Sequence, residues 1–127
     1  MKKAFFTALW VLICTFVNSF IIYGDEYTIN MQYVGHHGTH LEHYAIADMP
    51  DAIYYDDVAQ EIIIEADGTS IYYNVEIVSD NLNQTVIMAQ VDGYGDTIDV
   101  SSLSTGSYTI VITSEFLNEY EGQFTII

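Results

Sequence analysis

The chain has 127 residues, of which 18 are acidic and only two basic, for a formal charge of −16 with neutral histidines. Lys2 and Lys3 are the sole bases, and Cys14 and Trp10 are the only residues of their kinds. Beyond position 24 there is no Lys, Arg, Cys or Trp, which excludes a disulfide there, a counterion-releasing nucleic-acid surface, and attraction to anionic membranes or phosphate ligands.

Met1-Lys2-Lys3 followed by an apolar run to Tyr23 reads as a secretory signal peptide, so the expected product is an exported chain of residues 25–127, secreted to the periplasm, the cell surface or the medium. Gly24 and Ser19 are the candidate cleavage points. Retention as an anchor is the alternative, since Ala4–Ile22 nearly spans a bilayer, although Thr7, Thr15, Asn18 and Ser19 interrupt it. A lipoprotein at Cys14 fits less well, because Val11-Leu12-Ile13 is bulky where small residues are needed.

From residue 27 onward the apolar pattern has period two, with no capped helical stripe. A first strand is expected within Tyr27–Val34, then an irregular excursion over Gly35–Pro50 and a strand at Ala52–Tyr55. Ile62 and Ile64 alternate with Glu61 and Glu65. Ile71, Tyr73, Val75 and Ile77 form an inward set, and Thr85–Val91, Thr97–Val100, Ser107–Thr113 and Gln123–Ile126 follow. Turn signals stand between them at Asp67-Gly68, Asp80-Asn81, Asp92-Gly93 with Gly95, Thr105-Gly106 and Asn118. Seven or eight short strands at this spacing predict one all-β domain over 25–127, an antiparallel sandwich of immunoglobulin-like type.

Leu103-Ser104-Thr105-Gly106-Ser107-Tyr108 resembles the tyrosine corner of immunoglobulin-like domains: Leu103 plugs the core, Gly106 permits the turn, and the Tyr108 hydroxyl returns to upstream backbone. Together with Ala52-Ile53-Tyr54-Tyr55-Asp56, Ile98-Asp99-Val100 and Glu121-Gly122-Gln123-Phe124-Thr125-Ile126, the second half is similar to a family of small secreted bacterial immunoglobulin-like proteins of unknown function. That resemblance implies a fold and an address, and no activity. The chain's end is also similar to C-terminal sorting domains of bacterial secretion, although it lacks their basic tail and their large cargo.

Three features suggest chemistry. All four histidines lie between positions 36 and 43, and His36, His37, His40 and His43 with Glu42 are candidate ligands for Zn²⁺, Ni²⁺ or Cu²⁺; a solvated polar loop is the competing reading. Asp92 and Asp96 flank Gly93-Tyr94-Gly95 and are candidate Ca²⁺ ligands, against a plain Gly-rich hairpin turn. Tyrosines such as Tyr54, Tyr55, Tyr72, Tyr94 and Tyr120 suit stacking on sugars, or simply strand packing. No nucleophile stands beside a base, so no catalytic residue is assigned. The expected role is a non-enzymatic exported binding or structural module with a protein or glycan partner and no resident cofactor, metal binding through the histidines being the alternative.

Overall fold

The computed structural model describes residues 25–36 and 48–127. The expected signal segment, and His37, His40, Glu42 and His43, lie outside the described residues.

Nine strands are present among the described residues: β1 (Glu26–Thr28), β2 (Gln32–His36), β3 (Ala52–Asp56), β4 (Glu61–Glu65), β5 (Tyr72–Ser79), β6 (Gln84–Asp92), β7 (Gly95–Asp99), β8 (Gly106–Ser114) and β9 (Asn118–Ile126). They form two antiparallel sheets, ordered β1-β3-β4-β7 and β2-β9-β8-β5-β6. Alternation decides which face each residue presents. Ile53, Tyr55, Ile62, Ile64 and Ile98 of the smaller sheet meet Tyr73, Val75, Ile77, Ile110, Ile112 and Phe124 of the larger one in a single core. The rings of Tyr55 and Phe124 join the layers with centres 5.6 Å apart, and within the larger sheet Phe124 and Tyr108 are centred 5.5 Å apart. An immunoglobulin-like β-sandwich follows from this layering.

Four local expectations need correction. The strand expected over Tyr27–Val34 divides in two, β1 pairing with β3 and β2 with β9. The switch happens at Ile29–Met31, which lies so close to Gly122 that a Cβ there would meet Ile29 Cγ2 and Met31 Sδ at 2.7 Å. Ile71 is outside the core and 73% exposed, because β5 starts one residue later. Asp92–Asp96 is no hairpin: it carries the chain from the larger sheet to the smaller. Asn118 is no turn residue but the buried first residue of β9, the turn being completed by Leu117 at φ 65°.

At the far end of β8 the Tyr108 hydroxyl donates to the Ser104 carbonyl at 2.5 Å, Gly106 takes φ 152°, and Leu103 packs against the core. These are the parts of a tyrosine corner.

Candidate binding end of the sandwich

The chain's least expected chemistry lies at the end where β2 finishes and β3, β5 and β9 begin. Asp48 is buried there, and its carboxylate meets no cation among the described residues. Its carboxylate is satisfied by neutral donors instead: Tyr120 hydroxyl to Oδ1, Ser114 hydroxyl to Oδ2, and Asn118 Nδ2 to Oδ2 at 2.9 Å. Its backbone carbonyl accepts from the Tyr73 hydroxyl at 2.7 Å. A buried carboxylate without such donors would be heavily penalised. Desolvation, and next the neighbouring Asp48, hold both hydroxyls protonated: Tyr73 and Tyr120 are pushed far above the ordinary value of 10.0.

Asn118 extends the network. With Nδ2 committed to Asp48, its Oδ1 accepts from His36 Nδ1 at 2.9 Å. One amide therefore holds both residues that flank the segment 37–47, His36 before it and Asp48 after it.

Three further loops are laced together at the same end. Ser70 is fully buried; its hydroxyl donates to Tyr72 O at 2.6 Å and accepts from Glu115 N at 3.0 Å, tying the β4–β5 loop to the β8–β9 turn. Gly93 N donates to Ile71 O at 2.9 Å and Gly68 N to Gly93 O at 2.9 Å, tying the β4–β5 loop to the crossover between sheets. Gly93 is needed for that approach, since a Cβ there would lie 1.7 Å from Ser70 O. The Asp67 carboxylate is held below the usual range by the Thr69 hydroxyl and Thr69 N–H.

This rigid frame presents apolar side chains to solvent: Tyr94 is 78% exposed, Ile71 73%, Phe116 51% and Leu117 47%. Leu117 is also left-handed, a region that disfavours a branched side chain over glycine by about 1–2 kcal/mol. The Leu117 N–H donates to Ser114 O and the Asn118 N–H to Ser114 Oγ, so the turn enforces that conformation. Around these tips stand the exposed carboxylates Asp51, Asp67 and Asp92, with the partly exposed Glu115.

The residues singled out from sequence are placed as follows. His36 is in β2, and the other four candidate metal ligands are outside the described residues. Asp92 and Asp96 each turn Oδ1 onto their own chain, accepting from Tyr94 N and Thr97 N at 2.8 Å. Among the described residues no three His, Cys, Asp or Glu side chains converge as a metal site. Of the tyrosines suggested for stacking, Tyr55 and Tyr120 are core residues, Tyr54 and Tyr72 half-buried, and Tyr94 alone exposed. Asp48, Ser70, Ser114 and Tyr73 were not legible as a polar set, because alternation places small polar and apolar residues inward alike. The one available signal was Asp48-Met49-Pro50, a carboxylate just before a strand.

No family model matches the sequence, and no curated protein matches it. Among solved structures, the chain is similar to a DUF3244 family protein with an immunoglobulin-like β-sandwich fold from Bacteroides vulgatus ATCC 8482, at a TM-score of 0.63 and 11% identity over 81% of this chain and 100% of that one. That likeness shows a shared immunoglobulin-like fold. Among the described residues no helix is long and apolar enough to cross a membrane.

Proposed function

We propose that this chain is an exported, non-enzymatic binding module that engages a protein partner through the Asp48–Asn118 end of its sandwich. The observation that carries the reading is Leu117: an apolar side chain held half-exposed in a left-handed turn gives the fold only partial burial and a strained backbone. Residues kept against stability in this way belong to function more often than to packing. With Ile71, Tyr94 and Phe116 on loops laced to the same frame, the end is preorganised, and preorganised aromatic and aliphatic anchors are what binding hot spots require. The carboxylate rim and the absence of Lys and Arg after position 24 favour a partner with apolar anchors and a cationic surround.

Peptide phage selection on the chain recovered from an exporting host tests this. Selected peptides should combine apolar residues with Lys or Arg, and should lose binding to an Ile71→Ser/Tyr94→Ser/Phe116→Ser variant that keeps its melting temperature. Binders indifferent to that variant, or specific glycan-array hits in place of peptides, would remove the reading.

A second reading, transition-metal binding, has one observation in its favour. Asn118 takes the Nδ1 proton of His36, which in the neutral ring leaves Nε2 with a lone pair, the arrangement usual for a metal-ligating imidazole. Zn²⁺ and Ni²⁺ titration of the chain against a His36→Ala variant decides it: equal heat signals in both would exclude His36 as a ligand.

A further inference from the structure

Strand β6 is an edge of the larger sheet: among the described residues it pairs with β5 on one side and has no strand on the other. An open edge offers a row of unpaired N–H and C=O groups, and edges are normally blunted by charge, shortness or bulges. The other three edges among the described residues are blunted. β1 is three residues long and carries Glu26; β7 carries Asp96 and Asp99; β2 is five residues long with an irregularity between Tyr33 and Gly35. β6 runs nine residues, and no charged residue occurs from Asn81 to Val91, in a chain with 18 carboxylates. Its one irregularity is an extra residue at Val86, where the register jumps between Ile77–Ile87 and Val78–Thr85. Ile87 to Asp92 then pair regularly with β5. Met88 stands outward on this run, 78% exposed.

We infer that β6 is a homodimer interface, pairing antiparallel with β6 of a second copy of this chain so that two five-stranded sheets become one. The occupant follows from self-complementarity. A twofold axis at Ala89 sets Ile87 opposite the second copy's Val91 and Ala89 opposite its counterpart, both on the inner face. Met88 then meets the second copy's Gln90 on the outer face. Every one of these pairs is neutral, and the inner ones are apolar; Ile87 and Ala89, half-covered in one copy, continue the core into the next. Among these edges β6 alone combines a long run with the absence of carboxylates from Gln84 to Val91, and Asp92 falls opposite the second copy's Val86, so two such acidic bodies meet without opposing carboxylates. The rest of the surface repels its copy, so added salt strengthens this dimer, whereas it weakens binding of a cationic peptide. The inference is independent of the loop-end reading, since β6 pairs through its backbone along the sheet edge.

Sedimentation equilibrium on the exported chain tests it. A monomer–dimer equilibrium is expected, tightening as salt rises to about 0.5 M. The exposed positions allow a variant that keeps the fold: Met88→Glu/Gln90→Glu places like charges opposite each other twice, weakening the dimer about tenfold or more. Mixing it with Met88→Lys/Gln90→Lys should restore association as a heterodimer, read by native mass spectrometry. A chain that stays monomeric at about millimolar concentration in high salt, or a dimer untouched by the glutamate pair, overturns the inference.

Discussion

The two ends of the sandwich handle negative charge in opposite ways. At the Asp48 end a carboxylate is buried and clothed in hydroxyl and amide donors, while apolar tips face solvent. At the other end the acids stay at the surface, Asp56 and Asp99 also accepting from nearby backbone N–H groups. Cross-strand register places Glu26 beside Asp56, Asp56 beside Glu61 and Glu61 beside Asp99, one row across all four strands of the smaller sheet. With no Lys or Arg after position 24, side-chain ion pairing there is left to histidine. Solvating charge costs the fold only mutual repulsion; burying it demands a fixed donor set, and that set also fixes the loops. The contrast shows why the loops of the Asp48 end are held by one buried donor set.

The largest effect expected at the laced end comes from its tightest approach. Gly93→Ala puts a methyl against Ser70 O and should cost more than about 4 kcal/mol, seen as loss of a cooperative thermal transition. Asp48→Ala leaves three donors without their acceptor and should cost about 3 kcal/mol in urea unfolding. Alkaline titration probes the same network. Tyr73 and Tyr120 are raised above 10.0 by burial and by Asp48, so their contribution is whole below that pH. Stability should decline as pH climbs past 10.0, because the unfolded chain ionises these phenols first; absorbance at the phenolate band followed with circular dichroism reads both events. The smallest effect belongs to the solvated end. Glu61→Gln removes a charge from the middle of the carboxylate row and should stabilise by about 0.5 kcal/mol at low salt, with the gain fading as salt is added.

Much of the fold was legible because period-two alternation survives wherever a strand covers one core face, as at Ile62–Ile64 and Tyr108–Ile110–Ile112. The tyrosine corner was legible because its spacing is local: Ser104 and Tyr108 are four residues apart. The polar network was not. Asp48, Ser114, Asn118 and Tyr120 meet across 66 to 72 positions of chain, and nothing local marks their convergence. Ile71 misled because alternation continued one residue beyond the strand. The split of Tyr27–Val34 depended on the missing side chain of Gly122, in a strand at the far end of the sequence. The histidine-rich segment drew attention from sequence, yet the structure speaks for His36 alone, through Asn118.

Leu117→Gly isolates the claim that the laced end exists for binding, because it removes the exposed side chain and the backbone strain together. Stability should rise by about 1 kcal/mol, measured by urea unfolding, while affinity for a peptide selected on the native chain falls at least about tenfold. A variant that gained stability and bound the peptide unchanged would contradict a binding role for Leu117; one that lost stability would contradict the strain that marked it.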